Sequence, residues 1–229
     1  MEFVRKNIET LRLRVKEAAE KSGRREEDIK IVAVTKTVMP ETIQVAVDCG
    51  LTILGENRVQ EAQRKIELVK GDVSWHMIGH LQKNKVKYAV RLFSMIQSVD
   101  SYELAVEIDK RAGKLGKVMD VLVQVNIGKE ETKFGAEYEE TPELIKKISE
   151  LENIRVKGLM AIAPFKEDPE DVRPFFRKMR ELFLELKNLR LKNVEMEILS
   201  MGMTHDFHVA IEEGANMIRI GSGIFGPRI

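Results

Sequence analysis

With 229 residues and a formal net charge of +1 from 38 basic and 37 acidic side chains, the chain has room for one sizeable core and lacks the charge excess that draws a protein to nucleic acid or a membrane surface. Its single cysteine, Cys49, cannot form an internal disulfide, the N-terminus lacks an apolar signal segment, and no apolar run reaches the roughly 20 residues of a membrane span. A cytoplasmic protein is expected.

Taken in order, Phe3, Ile8, Leu11, Val15, Ala18 and Ala19 recur at helical spacing among charges and predict an amphipathic helix to about Lys21, stopped near Gly23. Ile29–Lys36 is a near-continuous apolar run that ends on a lysine, the pattern of a strand buried on both faces. Period-two alternation puts Val32, Val34 and Lys36 on one face and Ile31, Ala33 and Thr35 on the other. A helix from Pro40 to about Gly50 follows, then strand Thr52–Gly55 with helix Arg58–Lys70, and strand Trp75–Ile78 with helix Gln82–Val90. Next come strand Phe93–Ile96 with helix Ser101–Lys114, and strand Val118–Asn126 with helix Pro142–Leu151. The last strands are Ile154–Ala161, Glu197–Ser200 and Met217–Ile220, separated by helices at Pro169–Asn188 and His205–Glu213.

Eight strands alternating with helices, without a low-complexity linker, predict an α/β fold: one (β/α)8 TIM-like barrel spanning 1–229 as a single domain. An open doubly wound sheet is the competing architecture. Gly221–Ile229 is too short for a full closing helix, so the N-terminal helix is the candidate to cover that gap. The interval Ile127–Thr141 contains no predicted strand and reads as a mobile loop at the mouth.

Barrel sites collect at the C-terminal ends of the strands. There the sequence places Lys36, Asn57, Gln124, Asn126 and the small-residue turns Ser200-Met201-Gly202 and Gly221-Ser222-Gly223, with His76 and Arg219 inside their strands. Two such turns on adjacent strands beside an arginine suit a phosphate. Lys36 is either a solvated lysine at a strand end or an amine that condenses with a carbonyl. The second role requires partial burial or a neighbouring cation, for which Arg219 is the candidate. An aldehyde carrying a phosphate fits both handles, whether pyridoxal 5′-phosphate or a sugar phosphate in a Schiff-base aldolase. His76 is a packed strand residue or a cofactor contact, and Met201 and Met160 are candidates to wall a planar ring. His205 and His208 have no matching carboxylate or cysteine set, so no metal site is expected. Cys49 reads as a core filler, and Lys83-Lys85-Lys87 and Arg24–Asp28 as solvated faces.

The segments Val32–Thr37, Gly55-Glu56-Asn57-Arg58-Val59-Gln60-Glu61, Trp75–Lys85, Gly158-Leu159-Met160-Ala161, Leu199–Met203 and Ile218–Gly226 together resemble, end to end and in order, the YggS-like pyridoxal phosphate homeostasis proteins. The resemblance implies the barrel half of alanine racemase, the type III fold of pyridoxal phosphate proteins. It implies a Schiff base on Lys36, phosphate held by Ser200, Gly221 and Ser222, and Arg219 facing the pyridine nitrogen. Asn57 lies in a cofactor-side motif, and His76 completes the expected cofactor-binding set.

Racemases of this kind add a tyrosine from a β-rich second domain. The chain ends directly after the barrel, and Tyr88, Tyr102 and Tyr138 fall in predicted helices or the long loop. An arginine at the pyridine nitrogen also weakens the ring as an electron sink. The expectation is therefore a protein that holds, buffers or delivers pyridoxal phosphate, with pyridoxal phosphate-dependent apoenzymes as candidate partners, as a monomer or weak homodimer. The alternative is a weak amino-acid racemase or decarboxylase. Thr204-His205-Asp206 departs from the Ser-Asp-Asp-like run of many relatives, leaving the contacts of that helix start open.

Overall fold

A computed structural model describes residues 1–128 and 134–227. Its strands are β1 (Lys30–Val34), β2 (Ile53–Glu56), β3 (Ser74–Met77), β4 (Met95–Val99), β5 (Met119–Asn126), β6 (Ala136–Glu137), β7 (Ile154–Ala161), β8 (Val194–Ser200) and β9 (Met217–Ile220). The helices are α1 (Glu2–Lys21), α2 (Pro40–Asp48), α3 (Val59–Lys65), α4 (Val86–Leu92), α5 (Tyr102–Gly113), α6 (Thr141–Ser149), α7 (Arg173–Asn188), α8 (Phe207–Glu212) and α9 (Ser222–Phe225). All strand pairs are parallel. The order β4-β3-β2-β1-β9-β8-β7-β5 is closed into a ring by β4 pairing with β5, while β6 attaches to β5 alone. The result is the expected eight-stranded parallel barrel.

The apolar residues divide according to strand parity. Val32, Val34, Ile78, Met95, Leu122, Met160, Ile198 and Met217 fill the barrel interior. The alternate residues, such as Ala33, Leu54, Met77, Ile96, Val123, Leu159 and Leu199, pack against the surrounding helices. Helix α1 packs on α2, α8 and α9, covering the gap as its amphipathic pattern predicts. At the opposite end from the mouth, Arg155 Nε meets Asp120 at 2.7 Å and Lys157 Nζ bridges Glu195 and Glu197.

Several boundaries differ from the sequence pattern. The expected strand at Phe93 begins at Met95 and runs to Val99, because Phe93 ends α4 and packs in the outer core. The helix expected from Gln82 starts as a 3-10 turn at Lys83–Lys85, and α3 gives way to turns after Lys65. Helix α8 starts only at Phe207, since Asp206 bends back to accept from the Met203 N–H at 2.6 Å. The 127–141 interval is not strandless: β6 and a 3-10 turn at Tyr138–Glu140 lie within it. The part of that predicted mobile loop at 129–133 lies outside the described residues. Arg24 is not simply a solvated charge. Its guanidinium is half-buried and binds the carbonyls of Ile211, in the last turn of α8, and Ala215, in the turn beyond it.

Gly158 makes the β7–β8 contact possible. Its φ is +147°, and a Cβ there would lie 1.8 Å from the carbonyl oxygen of Ile198, at the point where the β7–β8 register shifts. By contrast, Gly23 after α1 has φ +70°, and a Cβ there would meet nothing within 4 Å. Gly158→Ala is expected to cost more than about 3 kcal/mol in denaturant unfolding, and Gly23→Ala only about 1 kcal/mol. Equal losses in the two variants would contradict this account of Gly158.

Candidate functional site at the barrel mouth

Register places the inward residues in rows. Val34 lies beside Gly55, Gly55 beside His76, and His76 beside Met95. Lys36 and Asn57 stand two residues beyond this row, in the turns that leave β1 and β2. Both are half-buried. On the other side of β1, Val32 is level with Arg219 of β9. The first and last strands of the chain thus bring Lys36 and Arg219 to one sector of the mouth.

Arg219 is 4 % exposed. Its guanidinium donates from Nη1 to Ser200 Oγ at 2.7 Å and from Nη2 to the Ala161 carbonyl at 2.8 Å. Ser200 donates in turn to Gln97 Oε1 at 2.7 Å, and Gln97 Nε2 lies 2.9 Å from His76 Nδ1. A polar chain therefore crosses the barrel interior from β9 through β8 and β4 to β3. Each member satisfies the next, which is the condition for burying polar groups at tolerable cost. The amide of Gln97 fixes the direction: its oxygen receives the serine hydroxyl, so its N–H faces His76 Nδ1, leaving the histidine proton on Nε2.

Burial sets the charges along this chain. It pushes Arg219 down to about 10, which leaves the guanidinium protonated at neutral pH, and pushes His76 down to about 4, which leaves the imidazole neutral. The cation is thus held at one end of the chain, and its other end is uncharged.

The turns after β8 and β9 form the adjacent wall. Thr204 links them: its hydroxyl accepts from the Gly223 N–H at 3.1 Å and from Ser222 Oγ at 3.3 Å. Gly221 and Ser222 lie at the accessible rim, whereas Ser200 is fully buried with its hydroxyl engaged on both sides. Met160 faces the barrel interior, but Met201 points the other way, into the outer core, because it follows inward-facing Ser200 by one residue. Met201 is therefore not placed to wall a ring in the mouth. Gly202 at φ +93° lets this turn pass α8, since a Cβ would come 2.6 Å from Ala210 Cβ.

Across the mouth, Gly79 packs directly on the Asn57 backbone, where a Cβ would lie 2.4 Å from the Asn57 carbonyl oxygen. Next to it, His80 stacks on Phe134 with ring centroids 3.8 Å apart, and Gln124 Nε2 donates to the Phe134 carbonyl at 2.9 Å. A groove lined by Thr37, Asn57, Arg58, Gly79, His80 and Lys85 opens outward from this side.

His205 and His208 are not brought together. His205 is exposed and meets the Glu167 carbonyl, while the His208 ring packs edge-on against Phe207. Tyr88 and Tyr102 lie on exposed helix surfaces, and the Tyr138 hydroxyl meets the Lys178 carbonyl.

Two members of the site escape sequence reasoning. Gln97 lies beyond the expected end of its strand. Its only signal is period two from Met95, which makes it a polar residue in an inward row. Thr204 stands out in the sequence only as a departure from the family pattern, and nothing local announces its bridge to Gly223.

Burying His76 in its neutral form makes stability depend on pH. The unfolded chain takes up the proton near pH 6.5 and the folded chain only near 4, so this contribution is complete above about 6.5 and lost as pH falls toward 4. Relative to His76→Gln, the unsubstituted protein should lose on the order of 3 kcal/mol of unfolding free energy across that interval. Parallel stability curves for the two proteins would contradict a buried neutral histidine.

Residues 7–228 match the family model described as alanine racemase, N-terminal domain. A protein of Aquifex aeolicus named pyridoxal phosphate homeostasis protein is 52 % identical over 216 residues, covering 94 % of each chain. The Escherichia coli protein of the same name is 36 % identical, covering all of this chain and 98 % of its own. Among solved structures, PipY of Synechococcus elongatus with PLP bound superposes with a TM-score of 0.84 at 32 % identity, covering 97 % of this chain and 100 % of that one. An alanine racemase of Clostridium difficile, 19 % identical with a TM-score of 0.78, shares the fold over 57 % of its length. The chain thus belongs to the alanine racemase N-terminal domain family and, within it, to the pyridoxal phosphate homeostasis proteins.

Proposed function

We propose that this protein binds pyridoxal 5′-phosphate for cofactor homeostasis, with Lys36 as the amine that condenses with the aldehyde. One observation carries the assignment to Lys36: it leaves β1 beside the strand that bears the buried Arg219 cation, at the same mouth as the linked turns after β8 and β9. The donor set fits the cofactor chemically. It offers an amine for the aldehyde, a cation, and hydroxyl-bearing small-residue turns suited to a phosphate.

Gly221 and Ser222 would hold the phosphate at the rim, with Thr204 fixing the spacing of their turn. Ser200 would act from below by orienting Arg219. Asn57 lies on the other side of β1 from them, and His76, at the far end of the polar chain, would support Arg219 through Gln97 and Ser200. When bound, the cofactor would supply an aldehyde and, in enzymes, an electron sink. Lys36 would hold it through Nζ, the amine at the mouth suited to that aldehyde. Arg219 is a permanent cation, so it disfavours protonation of a ring nitrogen placed beside it and weakens that sink. This favours holding and releasing the cofactor over transforming amino acids, with pyridoxal phosphate-dependent apoenzymes as recipients in the cytoplasm.

Protein mixed with pyridoxal phosphate should absorb near ~420 nm, and borohydride should leave the reduced cofactor on the peptide containing Lys36. Lys36→Ala should lose both signals. If that variant kept the absorbance and the covalent adduct, another amine would be the site.

A further inference from the structure

Behind the Lys36 turn, on the outer side of the barrel wall, lies a buried ionic cluster. Lys65, at the end of α3, is only 6 % exposed, and its ammonium has three acceptors: the Thr35 carbonyl at 2.6 Å, Glu56 Oε1 at 2.8 Å and Glu61 Oε1 at 2.6 Å. The Thr35 hydroxyl donates to Glu56 Oε1 at 2.6 Å, and the Thr37 N–H donates to Glu61 Oε1. Both neighbours of Lys36 are therefore gripped from one helical turn of α3, Thr35 through its carbonyl by Lys65 and Thr37 through its amide by Glu61.

The turn does not take this shape by propensity. Thr37 has φ +63°, a left-handed conformation that a β-branched residue adopts only when its surroundings impose it. Nor is stability a sufficient reason for the cluster. Desolvating an ammonium and two carboxyl groups costs about as much as their attraction returns, so apolar residues would hold the wall at least as well. Glu56 illustrates the cost: it is fully buried, its Oε2 has no partner, and burial pushes its carboxyl up. What apolar residues could not do is hold the two backbone groups that flank Lys36.

We infer that Lys65, Glu61 and Glu56 form a positioning device that fixes the backbone on both sides of Lys36 and so aims its amine into the barrel mouth. The inference rests on the reading of Lys36 as the condensing amine. Glu61 and Lys65 also line the groove beside Asn57; the role inferred for them is to act through the turn.

The test separates amine placement from cofactor binding. Pyridoxamine 5′-phosphate keeps the ring and phosphate but has no aldehyde, so its affinity reports the cradle alone, while the rate of the ~420 nm rise with pyridoxal phosphate reports the amine. Glu61→Ala should slow that rise by ~10-fold or more with pyridoxamine phosphate affinity within ~2-fold. Glu61→Gln, whose amide oxygen still accepts from Thr37, should stay within ~3-fold of the unsubstituted rate. Glu61→Asp keeps the charge but is one methylene short of Thr37 and should slow the rise too, which preserves the test if the alanine variant folds poorly. Unchanged rates in both Glu61→Ala and Glu61→Asp would overturn the inference, as would a loss of pyridoxamine phosphate affinity equal to the loss in rate. Absence of a borohydride adduct at Lys36 in the unsubstituted protein would instead overturn the underlying reading of Lys36, a result obtained without any Glu61 variant.

Discussion

The β1–β9 pairing, Val32 beside Arg219, joins the two ends of the chain and carries the rest of the site. Without it, Lys36 and the turns after β8 and β9 would lie on open edges of a sheet. With it, the barrel closes, and the strand ends face a common mouth. Helix α1 packs outside this seam against α2, α8 and α9, in the place where a helix after the eighth strand would otherwise be needed. Closure also makes burial of Arg219 compulsory, because its inward parity on β9 points the guanidinium into the barrel.

That burial organises the interior. A guanidinium desolvated inside the barrel is tolerable only if its donors are met. The structure meets them with Ser200 and the Ala161 carbonyl, then passes the requirement along to Gln97 and His76. The chain ends on a histidine that remains neutral, so the chain of partners carries one positive charge, and the buried Asp206 acts on it from outside that chain. The setting of this charge is thereby decided by five strands together, not by the strand that carries the arginine.

A second polar system serves the opposite side of the wall. The carboxylates of Glu56 and Glu61 and the ammonium of Lys65 meet behind β1 and β2, on the face that alternation assigns to the helix layer. Burial works against the Glu61 charge, yet the bonds from Lys65 and Thr37 hold its carboxyl below the usual range. The site is thus supported twice, from beneath by neutral and cationic hydrogen bonds and from behind by an ionic cluster.

Much of this was legible in the sequence. Alternating apolar runs and helical repeats pointed to a parallel barrel over an open doubly wound sheet, and parity along β1 put Val32 and Val34 on the inward row that Lys36 follows, because side-chain direction along a strand is a local property. The small-residue turns after β8 and β9 were visible for the same reason. What the tertiary structure alone decided was which polar side chains met. Gln97 became part of the site through Ser200, more than a hundred residues away, and Lys65, an ordinary lysine in a helical pattern, became buried through Thr35 and Glu56. Ser200 lies in the interior and Met201, the next residue, in the outer core, because the closed barrel buries both faces of the strand. Hydrogen-bond partnership is set by proximity across the closed barrel, and closure brings together residues whose separation along the chain carries no trace of their contact.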